Sequence, residues 1–127
     1  MTQNRKPLDG IRVLDFTRVL AGPYATAMMA DLGADVVKVE APGGDEYRHI
    51  GPFRNGESAL FQTANRGKRS IVLDLRSSAD LAIARDLALR ADVMVENFRP
   101  GVMARLGLDE ASLHADNPRL VYASVSG

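Results

Sequence analysis

An α/β fold, a mostly parallel sheet with helices on its faces, is predicted by three features of the sequence. Short β-branched runs alternate with stretches of helical periodicity, the pattern left by successive βαβ units. The run Asp35-Val-Val-Lys-Val-Glu40 carries apolar residues at adjacent as well as alternate positions, which suits a strand covered on both faces. A chain of 127 residues, 46% hydrophobic and 25% charged, has the size and composition of one folded domain.

Arg12-Val-Leu-Asp-Phe16 is predicted as the first strand. Gly22-Pro23 then starts a helix, because proline at the first helical position gives up an N–H that has no partner there. Ala25, Met28, Met29 and Leu32 recur at i, i+3, i+4 and i+7 and form the predicted inward face, and Gly33 ends the helix as a left-handed cap. Asp35–Glu40 is the second strand. From Ala41 to about Ser58, Pro42, Gly43, Gly44, Gly51, Pro52 and Gly56 mark a long loop, and long loops in compact domains are more often functional than idle. Arg69-Ser-Ile-Val-Leu-Asp74 is the third strand. Ser77 or Ser78 caps a helix whose inward face is Leu81, Ala84, Leu87 or Ala88, and Ala91. Asp92-Val-Met-Val-Glu96 is the fourth strand, and Asn97-Phe-Arg-Pro-Gly101 turns into a short helix ending near Gly107. Asp109 caps another short helix before Asn117-Pro118, and Leu120-Val-Tyr-Ala-Ser-Val125 is the fifth strand. The chain stops just past a strand end, where ligand-binding loops of open α/β sheets lie, so a longer protein is expected.

Charge excludes some functions. Sixteen basic residues balance 16 acidic ones, so no global field draws the chain to nucleic acid or an anionic membrane, and an anionic ligand needs a local cluster. The absence of Cys removes disulfides, thiolate metal sites and cysteine nucleophiles, and fits a cytoplasmic setting. Met1-Thr-Gln-Asn-Arg-Lys6 lacks the apolar stretch of a secretory signal. The apolar stretch from Val19 to Ala30 is broken by Gly22 and Pro23 and falls short of the roughly 20 residues that span a bilayer.

Candidate chemistry is sparse. Glu40 ends the second strand, where dinucleotide folds place an acid on a ribose hydroxyl, but Leu20-Ala-Gly-Pro-Tyr24 lacks the G-x-G-x-x-G fingerprint. Asn65-Arg-Gly-Lys-Arg-Ser70, with Arg76 beyond it, is the densest basic cluster; it reads equally as a phosphate cradle or as a solvated strand flank. His49 and His114 lie far apart without further ligands at metal-binding spacing, and no metal site is expected. Ala123-Ser-Val-Ser-Gly127 has Val125 where a G-x-S-x-G nucleophile would stand. Asp15 and Glu40 end strands and are candidates to face a ligand; no pair of carboxylates marks an acid–base site.

Several stretches in order resemble the class III CoA-transferase family. They are Pro7-Leu-Asp-Gly-Ile-Arg-Val-Leu-Asp15, Arg18-Val-Leu-Ala-Gly-Pro23, Leu32-Gly-Ala-Asp-Val-Val-Lys-Val-Glu40 and Asn65-Arg-Gly-Lys-Arg-Ser-Ile-Val-Leu-Asp-Leu-Arg76. Ala91-Asp-Val-Met-Val-Glu-Asn-Phe-Arg-Pro-Gly101 and Asn117-Pro-Arg-Leu-Val-Tyr-Ala-Ser-Val-Ser-Gly127 complete the set.

The resemblance implies that residues 1–127 are the N-terminal part of a Rossmann-like, CoA-binding large domain, in a longer enzyme that forms an interlocked homodimer. It implies CoA contacts at Ala21, Leu73, Asp74, Leu75, Arg76, Asn97, Phe98, Arg99 and Arg105, with Arg18 and Leu20 near the reacting group. Coenzyme A is then a substrate rather than a cofactor, exchanged between an acyl-CoA and a carboxylic acid. An Asp nucleophile beyond Gly127 would carry the reaction, leaving no catalytic residue in this chain. Leu20 and Ala41 replace a Gln and an Arg of formyl-CoA transferase, which argues against formyl transfer to oxalate. The alternatives are an acyl-CoA racemase of the same family, and a CoA-binding module without chemistry.

Overall fold

In chain order the elements are β1 (Arg12–Asp15), α1 (Ala21–Asp31), β2 (Asp35–Glu40), a 3-10 turn (Glu46–His49), β3 (Phe53–Arg54), β4 (Glu57–Ser58) and α2 (Ala59–Asn65). They continue with β5 (Arg69–Val72), α3 (Ser78–Arg90), β6 (Val93–Glu96), α4 (Val102–Leu106), α5 (Glu110–His114) and β7 (Val121–Ser124). This is a computed structural model that describes residues 4–126. The first three residues of the N-terminal reading and Gly127 of the last matched stretch lie outside them.

Five strands form one sheet in the order β5-β2-β1-β6-β7, every pairing parallel, while β3 and β4 make a small antiparallel hairpin of their own. Leu14 stands opposite Val37 on one side and Met94 on the other. The chain winds outward from β1 through β2 to β5, then returns to lay β6 on the other side of β1. The order therefore reverses between β1 and β6, the kind of position at which open α/β sheets place a ligand beside the carboxyl ends of their strands.

Side chains alternate across the sheet. Leu14, Phe16, Val39 and Met94 join Leu73, Ala84, Ala88 and the α4–α5 residues Met103, Leu108 and Leu113 in the larger core on the α3 face. Val13, Val36 and Val95 join Ala34 in a smaller core on the α1 face, with Met29 and Ala30 packed against it. Burying a side chain such as Met94, at 0% exposure, contributes about 1.5–3 kcal/mol.

Each predicted strand is present, and four of the five are shorter than expected by one or two residues at an end. The inward face of α3 packs as expected, with Ala84, Ala88 and Ala91 buried and Leu81 and Leu87 against them.

The face of α1 is a correction. Its buried residues are Gly22, Pro23, Thr26 and Ala27, while Ala25, Met28 and Leu32 are exposed and Met29 is half-buried. The cause is close approach: a Cβ on Gly22 would lie 2.4 Å from Thr17 Cγ2, so only small residues fit where the helix meets the β1 turn. Helix α1 also starts at Ala21, two residues before Pro23. The long loop is partly ordered by the 3-10 turn and hairpin, and α2 is an element the sequence reading did not place. Its signal was Ser58, whose hydroxyl accepts from the Phe61 N–H at 3.2 Å as an N-cap.

Candidate functional site

The segments that follow β1 and β6 are joined by a reciprocal clip. The Arg18 N–H donates to Asn97 Oδ1 at 3.0 Å, and Asn97 Nδ2 donates to the Arg18 carbonyl at 2.8 Å. The next residue, Val19, has φ 74°, the left-handed region that a β-branched side chain avoids at a cost of about 1–3 kcal/mol. The turn after β1 is thus held in a conformation its own sequence does not favour.

Beneath it lie buried charges. Asp15, fully buried, accepts from the Thr17 N–H at 2.8 Å, from the Thr17 hydroxyl, from Thr26 Oγ1 at 2.6 Å and from Lys68 Nζ at 2.9 Å. Lys38 Nζ sits 2.7 Å from Asp45 Oδ2 and donates to the Thr17 carbonyl at 2.9 Å. Glu40 accepts from Arg48 Nε and Nη2, each at 2.7 Å, from the Ser70 hydroxyl and from the Asp45 N–H at 2.9 Å. Burial works to raise the Glu40 pKa, but these donors outweigh it and hold the carboxyl at about 2. For Lys68 burial wins over the attraction of Asp15, and its pKa is lowered.

These contacts correct the reading of Asp15 and Glu40 as ligand-facing carboxylates: both are buried and fully engaged inside the protein. They also decide the basic cluster. Lys68 points inward to Asp15, Arg66 pairs with Asp31 at 2.7 Å and Arg69 with Asp35 at 2.7 Å, so the cluster ties strands and helices together rather than cradling a phosphate.

On the opposite face, the strand ends open into a cleft of about 380 Å³. Phe16, Val39 and Leu73 line it at the strand ends, Leu75, Phe98, Val102 and Leu106 supply further apolar surface, and Arg18, Asp74 and Arg76 bring charge. The Arg18 guanidinium lies 5.0 Å from the centre of the Phe98 ring and 3.8 Å from Glu46. Arg76 Nε lies 3.0 Å from Asp74 Oδ1, and the Arg76 side chain is 88% exposed. The hydrogen bond from Arg76 lowers the Asp74 pKa, and the same contact raises that of Arg76. An incoming anion therefore has to share Arg76 with Asp74 or draw it away.

Of the residues singled out from the sequence, Arg18, Leu73, Asp74, Leu75, Arg76 and Phe98 line this one cleft. Leu20 caps the N-terminus of α1 and Ala21 begins it, both exposed and outside the cleft lining. Asn97 is the clip. Arg99 lines a neighbouring depression with Glu96 and Tyr122, and Arg105 lies exposed on α4. Phe16, Val39, Val102 and Leu106 were not foreseen as site residues; their only signal was apolar character at strand ends and on a helix close after one.

The family model for CoA-transferase family III matches residues 8–127. The acetyl-CoA:oxalate CoA-transferase of Acetobacter aceti is 51% identical over 122 residues, covering 95% of this chain and 31% of that protein. The succinate–glutarate CoA-transferase of Agrobacterium fabrum is 47% identical over 135 residues, covering 100% and 34%. Among solved structures, a CAIB/BAIF family protein from Brucella suis superposes with a TM-score of 0.92 at 45% identity, covering 98% of this chain and 34% of that one. The chain thus spans about a third of the length of the relatives it matches. With the matched model running over nearly all of its residues and the same parallel sheet in a solved relative, the chain belongs to CoA-transferase family III.

Proposed function

We propose that this chain, as the N-terminal part of a CoA-binding domain, holds coenzyme A for an enzyme that exchanges it between an acyl-CoA thioester and a carboxylic acid. The observation that carries this reading is the cleft at the reversal of strand order, where apolar walls meet the Arg18 and Arg76 guanidinium groups. Such a surface suits a ligand with an apolar arm and anionic phosphates. Arg76 is the phosphate partner, Phe98 packs against the pantetheine arm or adenine, and backbone groups from Leu73 to Leu75 meet the adenine edge.

Among the described residues the carboxylate lining the cleft is Asp74, and Arg76 neutralises it. The nucleophile in this reading is an Asp supplied from outside this chain. Its carboxylate attacks the thioester carbonyl carbon, expelling CoA thiolate and forming a mixed anhydride. The thiolate then attacks the enzyme's own carbonyl of that anhydride, releasing the donor acid and leaving an enzyme–CoA thioester. The acceptor carboxylate reverses the two steps and regenerates the free Asp. What this chain does is bind and orient CoA throughout.

Family membership also supports a homodimer, checked by sedimentation of the full chain, and the Cys-free composition supports a cytoplasmic setting. No helix among the described residues is long and apolar enough to cross a membrane.

Calorimetric titration of coenzyme A tests the binding role. Arg76→Ala is expected to weaken affinity by roughly tenfold or more, the worth of a charge-assisted hydrogen bond. Unchanged affinity, or no perturbation of Leu73, Arg76 and Phe98 resonances on addition of CoA, would falsify the assignment. Deuterium wash-in at the α-carbon of an acyl-CoA without exchange of CoA between acids would instead mark a racemase.

A further inference from the structure

Consecutive residues of the turn after β1 are each held by a side chain from elsewhere in the fold. Lys38 Nζ donates to the Thr17 carbonyl at 2.9 Å, Asn97 bonds both backbone groups of Arg18, and Asp45 Oδ1 accepts from the Val19 N–H at 3.3 Å. Lys38 and Asp45 also pair with each other at 2.7 Å, their side chains 1% and 0% exposed. Neither lines the cleft, since Lys38 lies on the α1 side of the sheet and its neighbour Val39 on the cleft side. Such a pair is costly to desolvate, and its location does nothing directly for a ligand.

The pair contacts the turn, and Asp45 Oδ1 also caps the 3-10 turn by accepting from the Tyr47 N–H at 3.0 Å. Val19 sits at φ 74°, where valine stays only if its surroundings hold it, and the two restraints on either side of Arg18 come from Lys38 and Asp45. What the turn presents is Arg18, stacked over Phe98 in the cleft wall. We propose that the buried Lys38–Asp45 pair is a positioning device that fixes the strained Thr17–Val19 turn so that Arg18 meets an anionic group of the ligand in the cleft. This rests on the CoA-binding reading of the cleft. In the absence of the pair, Val19 relaxes toward negative φ and the Arg18 guanidinium loses its single placement.

The test uses the full chain, amide hydrogen exchange and calorimetry with coenzyme A. The variants are Asp45→Ala and the double change Lys38→Met with Asp45→Leu, which leaves no buried charge unpaired and so protects the fold. Both are expected to speed exchange at Val19 by about tenfold or more while Leu14 and Val36 in the strands stay protected. Asp45→Asn keeps an acceptor for Val19 and is expected to restore most of that protection. Affinity for CoA is expected to fall about tenfold, and that loss to vanish in an Arg18→Met background, because residues acting through one another do not add. Unchanged exchange at Val19 sinks the clamp. An equal loss of affinity with and without Arg18 sinks the positioning role. If the unmodified chain binds no CoA, the binding reading fails, while the exchange comparison still decides the clamp.

Discussion

Glu40 shows how one side chain ties the stability of the fold to pH. Its carboxyl is held at about 2 against an ordinary 4.5, because Arg48, Ser70 and the Asp45 N–H outweigh the burial that favours protonation. A carboxyl lowered on folding stabilises the protein fully above its unfolded pKa. Here that contribution, at most about 3 kcal/mol, is lost as pH falls from about 4.5 through about 2. Urea midpoints measured from pH 6 down to about pH 2.5 are expected to decline more steeply for the unmodified chain than for Glu40→Gln. Lys68 supplies a second prediction at this scale: Lys68→Met leaves the Asp15 charge buried without its cation and is expected to cost about 3–5 kcal/mol in urea unfolding. These residues were legible as charged strand neighbours, but their inward direction was not. A basic run such as Asn65–Ser70 carries no mark in the sequence of whether its cations meet solvent, a phosphate or a carboxylate brought from a distant strand.

Among the elements, α1 is the one whose packing departs most from its pattern. Hydrophobic periodicity selects Met28 and Leu32, yet the helix buries Gly22 and Ala27, because its first turn lies against Thr17. Gly22→Ala is expected to destabilise the chain by about 1–3 kcal/mol, since the added methyl must displace a buried threonine that also bonds Asp15. Thermal unfolding of that variant checks this, with Ala25→Ser on the exposed side of the helix as a near-neutral control. The strands were readable because their β-branched runs match a sheet covered on both sides. Helix α2 escaped because its seven residues follow a glycine-rich loop, too short a span for periodicity to register.

For the molecule as a whole, the cleft is a product of strand order. Residues as far apart in sequence as Phe16, Leu73 and Phe98 line one cavity only because β1 is central and the winding reverses beside it. Under the proposed reading, in which the attacking carboxylate is not among the cleft residues, this chain alone is expected to show no exchange of CoA between an acyl-CoA and a free acid. An assay following isotopic label from acid to thioester checks this, and measurable turnover by the 127-residue chain would overturn the view that the nucleophile comes from outside it.

Alternation of β-branched and helical stretches, turn chemistry and matched motifs were enough to establish an α/β sheet, its strands and the family, because these depend on local backbone preference and on residue identity in order. They also pointed to six residues that share the cleft. Which face of α1 is buried, which charges turn inward, and how Lys38 and Asp45 hold the Arg18 turn were decided only by the assembled sheet. Those outcomes depend on distances between segments remote in sequence, and in a low-dielectric interior such distances govern the energy of every charge and close contact.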